Sequence, residues 1–527
     1  MVNGLSRRRL TLWQTYGLMT STSSTSTTLL GLIGSAPADR TAVIVPEQNI
    51  RVSYGSLRQQ VQDVANQLAA AGIGRGDRVG TALPNGLPAI VTFLAASMAG
   101  TAAPLNPGYR EEEFKFFLED TNAKVLLLPP DGAAEARRAA GDTVPVLTVQ
   151  MDAAGVVSLG NTAGNSKAAA PDVSEVALIL HTSGSTGRPK RVPLSHANLS
   201  ISSGNVARSY ALTEDDVSLC VMPLFHVHGL VASTLATLST GGTVVVPGKF
   251  SPLSFWRTAQ EHGATWYSAV PTLHQLLLAR VEPGAARPAG AAKLRFIRSC
   301  SASLPPQVMH DLEAAFGAPV LEAYGMTEAA HQMSSNPLPP GERRAGSVGC
   351  GTDVRISIMD SNGKHLGPGE RGEVCISGPN VTKGYENNPE ANATGFFGEW
   401  FRTGDQGVLD EKGYLTLVGR LKELINRGGE KISPREIDEV LLTHPGVAEA
   451  VCFGVPHPTW GEEVAAAVVL KTDTGTAPTA ADLLAHCKTS LSAFKCPKQI
   501  HITDTIPRTA TGKIQRRIVA EAFANKQ

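Results

Sequence analysis

At 527 residues the chain exceeds what one hydrophobic core organises, and a prior of roughly 100–200 residues per domain implies several packed units. Lys plus Arg equals Asp plus Glu at 47 each, and no basic stripe follows the sequence, which argues against nucleic acid as a partner. The seven cysteines (Cys220, Cys300, Cys350, Cys375, Cys452, Cys487, Cys496) are odd in number, scattered and without C-x-x-C spacing, which speaks against a disulfide framework or a zinc site.

The first 38 residues carry Arg7, Arg8 and Arg9, no acid before Asp39, and a Ser/Thr run at 20–28; they read as a disordered arm, with a transit-like segment as the alternative. From about 40 to 420, short apolar strands alternate with helical patterns, as in the amphipathic stretch Tyr54 to Ala71, then Arg78 to Leu83, then Ile90 to Met98. This alternation predicts α/β layers. No uncharged apolar run approaches the roughly 20 residues that span a bilayer, and the nearest, 86–106, is interrupted by Pro, Gly and Asn, so no membrane partner is expected. Residues 131–171, rich in Ala, Gly and Asp with little periodicity, read as a surface excursion. From about 345 to 418, short strands separated by Gly, Pro and Asn predict a β-rich subdomain, and a separate C-terminal unit begins near Gly419.

The first chemistry-bearing motif follows the apolar run Val176 to Leu180: His181-Thr182-Ser183-Gly184-Ser185-Thr186-Gly187-Arg188-Pro189-Lys190, with a second apolar run, Val192 to Leu194, behind it. Glycines let backbone N–H groups approach an anion, the hydroxyls donate to phosphate oxygens, and Lys190 supplies a positive charge. This chemistry suits a triphosphate. It differs from the loop G-x-x-x-x-G-K-[ST], because no Ser or Thr follows Lys190 and no helix opens at it. The ten residues resemble the signature loop of the adenylate-forming superfamily, which includes acyl-CoA synthetases, coumarate ligases, luciferases and peptide-synthetase adenylation domains. Arg191 departs from that pattern, which usually has Gly there.

The resemblance extends along the chain. Glu322-Ala323-Tyr324-Gly325-Met326-Thr327-Glu328 looks like the superfamily's second nucleotide motif, which implies that Glu328, with Thr182, holds Mg²⁺ and that Tyr324 and the backbone of Ser301-Ala302 sandwich the adenine. A carboxylate beside a triphosphate needs a cation between them, so the role agrees with the chemistry. Asp405, in Phe401-Arg402-Thr403-Gly404-Asp405, and Arg420 match the pair that takes the ribose hydroxyls. Lys513, in Pro507-Arg508-Thr509-Ala510-Thr511-Gly512-Lys513-Ile514, matches the catalytic lysine of adenylation; Lys190 and His226 are the other catalytic candidates. Lys422 falls at the family's hinge, with Gly428-Gly429 facing coenzyme A. The implied fold is α/β: an N-terminal adenylation domain over 39–420 with two βα-layered subdomains and a β-rich one, and a small mobile α+β domain over 421–527. The implied activity is an AMP-forming acid–CoA ligase using ATP, Mg²⁺ and coenzyme A.

Three segments bear on the acid. Met222-Pro223-Leu224-Phe225-His226-Val227-His228-Gly229 carries two histidines, Ser301 stands where many relatives have Gly, and His331 where relatives with large apolar substrates have a small or uncharged residue. A fatty or aryl acid would leave these donors unpaired at roughly 1–3 kcal/mol for each buried group, whereas a small acid with a second carboxylate satisfies them. The phrases PLFHVHGL, RSCSASL, YGMTEAAHQM and INRGGEKISP are similar to the oxalyl-CoA synthetases of plants and fungi, which implies oxalate as substrate; the rival is a ligase of medium-chain or aryl acids. The terminal Ala524-Asn525-Lys526-Gln527 differs from the Ser-Lys-Leu peroxisomal address, so the expected compartment is the cytoplasm, with peroxisome or mitochondrion as alternatives, and the expected state is a monomer or weak homo-oligomer.

Overall fold

The computed structural model describes residues 26–160, 166–182, 189–282, 284–471, 477–508 and 514–524. Within them, two large, mainly parallel sheets form the body of the molecule. One runs in the order Cys350–Gly351, His331–Ser335, Val320–Met326, Phe296–Ser299, Trp266–Ala269, Val217–Cys220, Thr243–Val245, Thr41–Val45, Ile50–Ser53. The other runs Val157–Gly160, Val146–Met151, Ala123–Leu128, Arg78–Thr81, Thr101–Pro104, Val176–Thr182, Lys190–Ser195.

Helices fill the space between them. Tyr54–Ala70 starts at Ser53, whose hydroxyl accepts from the Ser56 N–H, and buries the stripe Leu57, Val61, Val64, Leu68. Leu87–Ala99 is apolar almost all round, and such a helix is stable only when covered on every side. It lies in a core that draws Val43 and Val244 from one sheet and Val79 and Leu178 from the other.

Two readings of the sequence are corrected. The arm expected over 1–38 is folded in its described part: Thr28 caps the short helix Leu29–Leu32, Leu29 and Ile33 are buried, and the Leu29 N–H donates to His196 Nδ1 at 3.2 Å. The apolar run 29–33 is masked by the polar composition of the arm as a whole. The expected surface excursion over 131–171 contains the helix Ala134–Ala140 and two strands that extend the second sheet. These elements are too short for periodicity to register, and their anchor is remote: the Gln60 side chain accepts from the Val157 N–H and donates to the Gly155 carbonyl.

The β-rich part is a five-stranded sheet of Arg355–Met359, Arg371–Ser377, Trp400–Leu409, Phe396–Phe397 and Leu415–Arg420. A fourth sheet, of Glu430–Ile432, Ile425–Arg427, Gly461–Leu470, Val447–His457 and Gln499–Ile502, carries the C-terminal unit with the helices Pro434–Leu442, Ala480–Ser490 and Arg516–Ala524. The hydrophobic clusters of this unit draw on residues from Ile425 to Phe523, whereas the cluster beneath the β-rich sheet reaches no further than Leu417. Polar contacts join the two: Ser433 Oγ donates to the Val418 carbonyl at 2.6 Å and Arg435 to the Leu417 carbonyl at 2.9 Å.

Candidate active site

Thr182 ends one strand and Lys190 begins its antiparallel neighbour, and the two are register partners. The intervening Ser183, Gly184, Ser185, Thr186 and Gly187 lie outside the described residues. The stems below them are tied together: His181 Nε2 and Arg191 Nε lie 3.0 Å and 3.4 Å from Asp120 Oδ2, and Arg191 and Arg78 reach Glu386 at 3.5 Å and 2.6 Å. Arg191, the departure from the superfamily pattern, is therefore part of a polar buttress along the two strands that hold Thr182 and Lys190.

Lys190 Nζ sits 4.6 Å from the centre of the Tyr385 ring, and the Tyr385 hydroxyl donates to Glu328 Oε1 at 2.8 Å. Burial and the neighbouring Lys422 lower the Lys190 pKa, with Glu328 opposing them. Burial raises that of Glu328, against the cations Arg420 and Lys190. A buried carboxylate in this setting fits a hard divalent ion, which would supply the counter-charge that water would otherwise provide.

Glu328 and Thr327 lie in the turn Thr327–Ala329, directly after the strand that bears Glu322, Ala323, Tyr324 and Gly325. The Tyr324 hydroxyl donates to Asp405 Oδ2, while Arg420 Nε lies 3.1 Å from Asp405 Oδ1. Asp405 and Arg420 are register partners across the hairpin of Trp400–Leu409 and Leu415–Arg420. Glu322 faces inward: Oε1 accepts from the Leu304 N–H at 2.9 Å, fixing the turn that carries Ser301 and Ala302, and burial pushes its pKa up to about 7.

Residues of three separate segments meet beside this strand. His228 opens the π-helix His228–Leu235, a form of helix often found at functional sites. Its Nδ1 lies 3.0 Å from Ser301 Oγ and its ring meets the His331 ring edge-on at 5.1 Å. The His228 N–H donates to His226 Nδ1 at 3.2 Å, which brings His226 to the same cluster. Ser301 and His331 have φ of 72° and 119°, conformations disfavoured for residues with a Cβ and retained where surrounding structure enforces them. A Cβ on Gly325 would collide with the His331 carbonyl, so glycine there lets the two strands close on the site.

Comparison with known proteins identifies the family. Residues 34–386 match the model of the AMP-binding enzyme family, and residues 436–513 match that of the AMP-binding enzyme C-terminal domain. The chain belongs to the AMP-binding enzyme family. Among its relatives is the oxalate–CoA ligase of Arabidopsis thaliana, 48% identical over 518 residues that cover 95% of this chain and 99% of the relative. The oxalate–CoA ligase of Saccharomyces cerevisiae is 44% identical over 524 residues, covering 92% and 95%. The crystal structure of ATP-bound MatB from Rhodopseudomonas palustris superposes with a TM-score of 0.86 at 32% identity, covering 95% of this chain and 99% of that one. The chain is thus an AMP-forming CoA ligase, an enzyme that uses ATP and coenzyme A on a small-molecule acid.

Of the residues singled out in this AMP-binding enzyme, the structure brings Lys190 and Glu328 together around Tyr385, and Tyr324 and Arg420 together around Asp405, with the Arg420 charge acting on Glu328; His226, His228, Ser301 and His331 form a further cluster. Lys513 lies outside the described residues. Gly428 and Gly429, with φ of 59° and 97°, form the tip of the hairpin Ile425–Arg427 and Glu430–Ile432, where both turn positions require glycine-like torsions. Lys422 lies in the turn between the last two sheets, and Glu423 N–H donates to the Arg420 carbonyl at 3.0 Å. Sequence reasoning missed Tyr385 and Asp120, which touch the motifs across 57 and 61 positions of chain. Among the described residues, no helix is long and apolar enough to cross a membrane.

Proposed function

We propose that this enzyme is an oxalate–CoA ligase. A carboxylate oxygen of oxalate attacks the α-phosphorus of ATP, pyrophosphate leaves, and oxalyl-adenylate forms. The deprotonated thiol of coenzyme A then attacks the oxalyl carbonyl and AMP leaves, giving oxalyl-CoA. The observation that carries the choice of acid is the polar cluster of His228, Ser301 and His331, where an apolar acyl tunnel would otherwise run. The two carboxylates of oxalate are directly bonded, so its second anionic group must be met within hydrogen-bond reach of the reaction centre. The oxalate–CoA ligases among its relatives support the same reading.

In this reading Thr182 to Lys190 hold the phosphates, and Glu328 with Thr182 holds Mg²⁺, which neutralises phosphate charge when bound. Tyr324 and the Ser301-Ala302 backbone flank the adenine, and Asp405 with Arg420 takes the ribose. Lys513 stabilises the adenylation transition state. The domain boundary falls at 420/421, and the C-terminal unit turns about Lys422 to bring Gly428-Gly429 to coenzyme A for the second step.

Pyrophosphate release measured against a panel of acids, with and without coenzyme A, tests this. Oxalate should give the highest kcat/KM. Turnover of hexanoate or a cinnamate with none of oxalate would leave the ligase class standing and remove the substrate.

A further inference from the structure

Arg298 lies on the strand Phe296–Ser299, three positions before Ser301, and its side chain is fully buried. Among the described residues no carboxylate pairs with it. Its donors meet neutral acceptors: Nε the Tyr210 hydroxyl at 2.9 Å, Nη2 the Gln332 Oε1 at 3.0 Å, Nη1 the Ser268 hydroxyl at 2.9 Å. The Gln332 orientation is fixed from its other end, where Nε2 donates to the Ser209 and Thr352 hydroxyls. A guanidinium stays charged and a buried charge without a counter-ion is costly, so the site is built for an anion that arrives from outside.

The hydrogen bonds fix a direction. Arg298 has donors only, so Ser268 Oγ accepts from it and keeps its own hydrogen to give. His228 Nε2 lies 2.6 Å from Ser268 Oγ and 3.4 Å from Arg298 Nη1; with two donors aimed at it, Nε2 is the acceptor. The ring proton then belongs on Nδ1, which donates to Ser301 Oγ at 3.0 Å. Ser301 accepts there, and its own O–H is left to point onward.

We propose that Arg298 is a specificity-determining, positioning residue: acting through Ser268 and His228, it fixes Ser301 as a hydrogen-bond donor to the second carboxylate of a doubly charged acid. The inference rests on the reading of the pocket as one for a small diacid, and adds the buried charge that polarises it. Reversed, the relay would end in a Ser301 acceptor and repel a carboxylate.

The test is the ratio of kcat/KM for oxalate to that for propionate in Arg298→Met, Ser268→Ala and Arg298→Lys, each checked for folding by circular dichroism. The ratio should fall at least about tenfold in the first two, chiefly through the oxalate KM, and Arg298→Lys, which keeps the charge, should recover part of it. Oxalate and propionate falling together in folded variants, or an unchanged ratio, would overturn the relay while leaving oxalate as substrate. If Arg298→Met does not fold, Ser268→Ala, which removes one hydroxyl, decides. A wild-type enzyme that ignores oxalate but prefers malonate or succinate in an Arg298-dependent manner would keep the relay and remove the oxalate reading. A preference for propionate over every diacid would remove both.

Discussion

Asp405 and Arg420 face each other across a hairpin with Nε 3.1 Å from Oδ1, and the Tyr324 hydroxyl occupies the other carboxylate oxygen. The carboxylate is thus aimed by the protein's own side chains, and a ribose would meet an acceptor held in orientation by Tyr324 and Arg420. Asp405→Ala should raise the KM for ATP about tenfold or more, the loss corresponding to roughly 1.5–3 kcal/mol for a charged hydrogen bond. Steady-state kinetics with ATP varied would check it, and an unchanged KM would detach Asp405 from the ribose.

Glu322 links stability to pH. Its pKa is raised from 4.5 to about 7 by burial, so between those values the folded protein keeps a proton that the unfolded chain has released. Stability contributed by the neutral form is full below the lower value and is lost as pH rises through the upper one, a difference on the order of 3 kcal/mol. Glu322→Gln has no proton to lose. Denaturation curves at pH 5 and pH 8 should show the variant gaining stability relative to wild type at the higher pH, and parallel pH dependences would contradict the shift.

Glu328 carries the metal assignment. Glu328→Gln keeps the size and the acceptor for Tyr385 but removes the charge, so the Mg²⁺ concentration for half-maximal pyrophosphate release should rise about tenfold. Chelation of Mg²⁺ should stop release in both proteins. A variant with the wild-type Mg²⁺ requirement would place the ion elsewhere.

The two half-reactions should separate by residue. Lys422→Pro fixes φ in the turn between the sheets, and should impair thioester formation far more than adenylation. Lys513→Ala should do the reverse, abolishing pyrophosphate release while supplied oxalyl-adenylate still reacts with coenzyme A, with a barrier raised by about 3–4 kcal/mol. Stopped-flow measurement of each step decides, and equal loss of both steps in either variant would sink the corresponding role.

The motifs stand out in the sequence because each is local: residues 182–190, Glu322 to Glu328, and the short stretches holding Asp405 and Arg420 are contiguous runs in which the family resemblance is visible without a fold. The layering was legible for the same reason, since helices such as Tyr54–Ala70 carry their own periodicity. Arg298 escaped because a residue in a short strand carries no mark of what lies opposite; its partners Tyr210, Ser268 and Gln332 come from three other segments. The Asp120 and Glu386 contacts to His181 and Arg191 escaped for that reason too.

Finally, the seam between the β-rich sheet and the C-terminal unit is held by Ser433, Arg435 and backbone carbonyls, and neither side's hydrophobic cluster crosses it. Water can take the place of such partners one for one, so parting the two units wets little oil-like surface. A turn of the C-terminal unit should then carry a small heat-capacity change, far below that of unfolding the unit, and its equilibrium should shift little with temperature. The turnover cycle would run on the same seam whether the cell is cool or warm.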